Sequence, residues 1–386
     1  MPIVAPAPAV GRRPSSRAVA ATALVVLLVL AGTLLAGSVR APTVAAPGNA
    51  SGPPNVIVVL TDDLDVALWN GLSLRTTIGG RSFANAFVTS PLCCPSRASF
   101  LTGLYTHNHG VWATNPPHGG LYAALQNDLE ESTLPVWLQR AGYRTGFMGR
   151  YLVGYGWRDS PPSYVPPGWD TWIGRVSPTP EGYRDIAFSF DGTVRTLPGD
   201  EGLHYLPQAQ AFIRSAGTQP FFLVLAPMAP HAPWGEGDGY PGDPSLRAAT
   251  MQPIEQLVTE LLAEMGSNTY LFFTSDNGFH LEPSPGKSTP YDSDTRVPLV
   301  VVGPDVVPGE DDHFALNIDL APTIADLAGT HPPDPVDGVS LSPLLLGEDP
   351  PWRDHFTVEL LSFTAVRSEH ALDIRWADGR FEHHDL

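Results

Sequence analysis

Four short apolar runs that stop on polar or turn residues set the limits on how this chain folds. They are "NVIVVLTDD" (Asn55 to Asp63), "PFFLVLAPMAPH" (Pro220 to His231), "TYLFFTSDNG" (Thr269 to Gly278) and "VPLVVVGP" (Val297 to Pro304). A continuous apolar run of this length is the pattern of a strand buried on both faces. Between them lie helical patterns at Thr133 to Gly142, Tyr205 to Gly217, Ser245 to Gly266 and Asn317 to Gly329. Strands alternating with helices predict an α/β fold with a large, mostly parallel central sheet flanked by helices. In such sheets ligands bind beyond the carboxyl ends of the strands. After about Pro350 the texture becomes short β-rich runs separated by "SEH" and "ADG", which predicts a small C-terminal antiparallel sheet.

Charge narrows the function. The 386 residues carry a formal net charge of −18, which argues against nonspecific nucleic-acid binding. It also repels anionic substrates at long range, so an anion site has to be made locally positive. The 41 prolines and 37 glycines predict long ordered loops, suited to a site built on a rigid sheet. Arg12, Arg13 and Arg17 precede the uncharged stretch Ala18 to Gly37, which reads as either an export signal or a membrane anchor. The basic flank comes first, so the bulk of the chain is expected outside the cytoplasm, with membrane contact only through this segment. The expected organisation is an N-terminal signal or anchor at 1–37, a flexible linker at 38–54, a catalytic domain at 55–349 and a short β subdomain at 350–386.

Two acidic pairs follow core strands: Asp62 with Asp63, and Asp276 with Asn277. Oxygen donors of this kind suit a hard divalent cation, calcium or magnesium. Each pair alone also reads as ordinary turn chemistry, and their joint occurrence is what points to metal. The only two cysteines, Cys93 and Cys94, are adjacent. A bridge between neighbours would be strained and would restrict little chain entropy, so these thiols are to be weighed as chemistry.

The run "CCPSRASFLTG" resembles the signature of the type I sulfatases, C-x-P-S-R followed by L-T-G, and aligns Cys93, Pro95, Ser96, Arg97, Leu101, Thr102 and Gly103 with it. "VLTDD", "SDNG", "PHAPW" and "GKSTPYDSDTRVPLVVVGP" are similar to further segments of that family, and "LCCPSR" with "APHAPW" is most similar to its N-acetylglucosamine-6-sulfatase branch. The resemblance implies an alkaline-phosphatase-like fold and hydrolysis of sulfate esters on a sugar or glycan. It implies that a separate formylglycine-generating enzyme oxidises Cys93 to Cα-formylglycine, whose hydrate attacks sulfur, and that the bound ion is calcium, with magnesium possible. By the same resemblance Asp62, Asp63, Asp276, Asn277 and modified Cys93 hold the metal. Arg97 orients the nucleophile, His231 protonates the leaving oxygen or binds the sulfate beside it, and Lys287 binds the ester's nonreacting oxygens. Phosphodiester or phosphonate ester hydrolysis is the alternative within the same superfamily, and an inactive glycan-binding homologue is another.

The chain departs from the family pattern in two places. Arg150 stands where most sulfatases have a lysine; its planar fork clamps an anion but gives up no proton. Leu152 stands where many have a histidine. His280, shortly after the second acidic pair, is the candidate replacement at the substrate, while His107 and His109 are read as rim or packing residues.

Overall fold

Asn55–Thr61 forms β1, and both of its faces are buried: Val56, Val58 and Leu60 enter one apolar cluster, Ile57 and Val59 another. A computed structural model describes residues 52–176, 182–234 and 243–386. The apolar stretch 18–37 and the linker up to 51 lie outside the described residues. The other strands of the large sheet are β2 (Arg81–Phe87), β3 (Arg144–Gly149), β4 (Thr171–Arg175), β5 (Arg184–Phe190), β6 (Thr193–Asp200), β7 (Phe221–Ala226), β8 (Thr269–Ser275), β9 (Leu299–Val302) and β10 (Gly309–Leu316). They lie in the order β10-β2-β9-β8-β1-β7-β3-β4-β5-β6.

The central neighbours β8, β1, β7, β3 and β4 pair parallel, as does β10 with β2. β9 is antiparallel to both its neighbours, and β5 and β6 extend the far edge as an antiparallel hairpin. An apolar run reports burial but not direction, which is why β9 looks like the parallel strands in sequence.

The helices follow the expected pattern with one break. The Ser245 to Gly266 segment is a 3-10 stretch, Pro244–Met251, followed by an α-helix, Gln252–Glu264. Pro253 sits in the first turn of the second piece, where its missing N–H costs nothing. The C-terminal sheet is a meander of β11 (His355–Leu360), β12 (Phe363–Ser368), β13 (Ala371–Trp376) and β14 (Phe381–Asp385). Its apolar face packs on Phe87, Phe314 and Leu316 at the β2–β10 edge.

Candidate active site

Strand register brings the acidic pairs together. β1 and β8 pair in step from Asn55 with Thr269 to Thr61 with Ser275, and the next bond, Asp276 N–H to Thr61 O, is 3.0 Å. Asp62 and Asp63 therefore emerge beside Asp276 and Asn277. On the other side, β7 and β3 pair as far as Ala226 with Gly149, and Arg150 N–H donates to Ala226 O at 2.8 Å. β1, β8 and β3 thus deliver five of the expected residues, and the loop after β7, the strand between β1 and β3, adds His231.

The signature run opens the helix Cys93–Thr102, whose ten residues are all buried. Cys93 and Arg97 lie one turn apart and share a face. Gly103 closes the helix at φ 71°, a left-handed conformation that an L side chain resists; an added Cβ there would also press on Val336 and Ile318. Gly278 has a different reason: a Cβ would lie 2.2 Å from Ser293 O.

Arg97 is the hub beneath the cleft. Its Nε donates to Asp276 Oδ2 at 2.7 Å, Nη2 to Asp62 Oδ2 at 3.0 Å and Nη1 to Arg150 O at 2.5 Å. Arg150 Nη1 stands 2.9 Å from Asp62 Oδ2. Lys287 Nζ contacts Asp63 Oδ1 and stands 3.7 Å from Asp62 Oδ1. Burial alone would push the Asp62 carboxyl up, but Arg150, His231, Arg97 and Lys287 outweigh it and hold Asp62 well below the usual range. Asp276 is pushed up to about 8 by burial and the Asp62 charge, against Arg97 and Lys287. Burial likewise opposes the charge on Lys287, yet Asp63, Cys93 and Asp62 keep it protonated.

Three buried oxygens in this cluster have no hydrogen-bond partner: Asp62 Oδ1, Asp63 Oδ2 and Asn277 Oδ1. Buried acceptors left unpaired are costly, and two carboxylates with an amide oxygen are the donor set of a hard cation. The residues fit a calcium or magnesium ion. Asp276 is differently placed: Oδ2 binds Arg97 and Oδ1 accepts from Asp63 N–H at 3.2 Å, which leaves only its remaining lone pairs open to an ion. His231 offers a further donor the sequence reading did not count, since its Nε2 is 3.8 Å from Asp63 Oδ2 and it shares a candidate metal cluster with Asp62 and Asp63. Asp63 itself has φ 70°, strain of the kind that collects at functional sites. Arg247 braces it, bonding Asp63 O and pairing with Asp65 Oδ2 at 2.6 Å.

The two thiols differ in role. Cys94 accepts from Val153 N–H at 3.3 Å. The adjoining Cys94 thiol, aided by Lys287 and Arg150 and opposed by burial, draws the Cys93 thiol well below its ordinary value, whereas Cys94 is pushed up by Cys93 and by burial. His231 Nδ1 donates to Ala232 O, which leaves the Nε2 lone pair facing Asp63; the ring donates from Nε2 only when protonated. Burial lowers its pKa despite Asp63.

Cys93, Arg150, His231 and Lys287 line one cleft of about 500 Å³ with Arg175 and Tyr151. No Asp or Glu is among its described lining residues. His280 is not among them either: its Nδ1 is 2.7 Å from Asp294 Oδ1, and its backbone exchanges hydrogen bonds with Gly286. Asp294 Oδ2 accepts from both N–H and hydroxyl of Thr289, so His280 and Asp294 brace the loop that carries Lys287. His107 bonds Glu359 at 2.8 Å and His109 is buried against Ser99 at 3.0 Å, both outside the cleft lining.

Comparison with known proteins identifies the family. The family model described as "Sulfatase" matches residues 54–330, and one described as "N-sulphoglucosamine sulphohydrolase, C-terminal" matches residues 286–375. The human N-acetylglucosamine-6-sulfatase is 32% identical over 81% of this chain and 68% of its own. The Drosophila melanogaster extracellular sulfatase SULF-1 homolog is 31% identical over 85% of this chain, which spans only 34% of that protein's length. A solved structure described as in complex with D-glucosamine-2-N,6-O-disulfate superposes with a TM-score of 0.72 at 19% identity, covering 86% of this chain and 91% of that one.

Proposed function

The chain belongs to the sulfatase family, and from that premise we propose that it hydrolyses sulfate esters on a sugar or glycan, outside the cytoplasm. The observation that carries the reading is the cluster itself: Cys93 at the start of a buried helix, ringed by cations, above carboxylates with unpaired oxygens. In the proposed form Cys93 is a Cα-formylglycine, whose hydrate supplies the nucleophile. Cys93 is only 3% exposed, so a modifying enzyme has to act before the chain folds.

Asp62, Asp63 and Asn277, with Asp276 and the modified residue 93, would hold a calcium or magnesium ion, which polarises the ester and favours the ionised nucleophile. The chain's own charges frame this step. Arg97, Arg150 and Lys287 offset the charge of the carboxylates beneath residue 93, so a bound divalent cation leaves the cleft net positive. A singly charged sulfate ester and an ionised nucleophile are both stabilised by that positive field. Arg97 fixes the carboxylates beneath residue 93, and Arg150 and Lys287 face the ester's nonreacting oxygens, where charge builds in the transition state. His231, protonated at Nε2, gives its proton to the leaving alcohol or holds the sulfate beside it.

Turnover of an aryl sulfate is to be compared with that of the matching aryl phosphate, for the natural chain and for Cys93→Ala. The account expects the sulfate to be preferred and Cys93→Ala to be inactive but folded. Preference for the phosphate, or a fully active Cys93→Ala, would count against it.

A further inference from the structure

One cation in the cleft takes no part in the charge balance around Cys93. Arg175 ends β4, which pairs parallel with β3 as far as Gly149 with Gly174, so Arg175 stands one step on, beside Arg150. It lines the cleft with Arg150, Met228 and His231. Arg97, Arg150 and Lys287 are all paired with Asp62, Asp63 or Asp276. Arg175 faces a different carboxylate, Glu201, with Nη1 3.5 Å from Oε2. That is well beyond the roughly 2.8 Å of a charge-assisted hydrogen bond.

The other Glu201 oxygen accepts from Met228 N–H at 3.0 Å, and burial pushes its carboxyl above the usual range despite the Arg175 charge. Arg175 Nη1 contacts Met228 Sδ and its Nη2 donates to Gly182 O at 2.8 Å, both neutral acceptors. Its side chain is 8% exposed, so its charge acts across a cleft with low-dielectric walls. Arginine's fork matches carboxylate and sulfate oxygens, and none of the described lining residues is acidic.

We propose that Arg175 binds a second anionic group of the substrate, a sulfate or carboxylate on the sugar carrying the scissile ester or on the sugar linked to it. Doubly charged sugars are then the preferred substrates. The assignment rests on reading the cleft as the sulfate-ester site. A bracing role for Arg175, holding Glu201 and the Met228 loop, makes a different forecast: its loss would depress all substrates alike.

The test is kcat/KM of the natural chain, Arg175→Gln and Arg175→Lys on three compounds: N-acetylglucosamine 6-sulfate, glucosamine N,6-disulfate, and N-acetylglucosamine 6-sulfate linked to a uronate. The ratio of doubly to singly charged substrate is expected to fall about tenfold or more in Arg175→Gln and to recover in part in Arg175→Lys. The doubly charged compound that loses more identifies sulfate or carboxylate as the preferred group. An unchanged ratio, whatever the common loss, overturns the assignment. Calorimetric binding of the same sugars to Cys93→Ala, with and without Arg175→Gln, separates this from the hydrolysis reading. If the natural chain cleaves none of them, that reading fails. The Arg175 assignment is then upheld only by a tenfold weakening confined to a doubly charged sugar, and equal affinities or no binding overturn it.

Discussion

Arg97→Met removes the hub beneath the cleft while keeping most of the side chain's bulk. The natural guanidinium makes three hydrogen bonds, to Asp276 at 2.7 Å, Asp62 at 3.0 Å and Arg150 O at 2.5 Å, all in a buried setting. Asp62 retains Arg150 at 2.9 Å, but Asp276 Oδ2 loses its cation. Breaking a buried pair by deleting one partner costs about 3–5 kcal/mol, because the other charge remains buried and uncompensated. For a folded unit of this size each kcal/mol moves the melting temperature by roughly 1–2 °C, so a loss of about 5 °C is expected. The decisive comparison is a double variant. Adding Asp276→Asn removes the stranded carboxylate and should recover a large part of the loss, by urea melts and calorimetry of all four proteins in chelator at about pH 9, above the value of about 8 at which the natural Asp276 ionises. An Arg97→Met cost below about 1 kcal/mol, or full additivity of the two substitutions, would refute the claim that Arg97 exists to compensate buried carboxylate.

Three further outcomes follow from the same geometry. Calcium or magnesium at a hundred times its Kd should stabilise the chain by about 2.7 kcal/mol over chelator, and Asn277→Ala or Asp62→Asn should diminish that gain in a thermal melt. His109 accepts from Val111 N–H through Nδ1, and burial, with His107 adding to it, holds its pKa down at about 3. The unfolded ring titrates near 6.5, so the unfolded chain binds this proton first; its contribution is complete above that pH and is lost as pH falls toward 3. The loss reaches ~4–5 kcal/mol, read as the difference in urea midpoint against pH between the natural chain and His109→Asn. His280→Ala should lower kcat several-fold by loosening the Lys287 loop, with partial rescue by His280→Asn; equal activity of all three would exclude this bracing role.

Much of the site was legible because it rests on short-range pattern. Apolar runs ending in "TDD" and "SDNG" place carboxylates at strand ends, and in-step pairing of β1 with β8 then makes Asp62 and Asp276 neighbours. Cys93 and Arg97 were legible through the resemblance of one run to a family signature, and the structure adds that they share a helix face. What sequence left hidden depends on pairings distant along the chain. The direction of β9 is set by its neighbours rather than its composition, and the β5–β6 hairpin, largely exposed along β6, carries no continuous apolar run. His280 turns to Asp294 rather than to the cleft, a choice made by the loop it braces. Arg175 and Glu201 come from separate strand and helix boundaries, and neither stands in a motif. Cys94, free in the signature pattern, acquires a role only through Val153 N–H and Cys93.

The central claim is that Cys93 is the precursor of the nucleophile and Cys94 is its unmodified neighbour. Mass spectrometry of the peptide spanning both, from protein made in its native host and treated with a thiol-alkylating reagent, tests it directly. The account predicts an aldehyde in place of the thiol at position 93 and a single alkylated cysteine at position 94. Two fully alkylated thiols in protein that hydrolyses sulfate esters would contradict it.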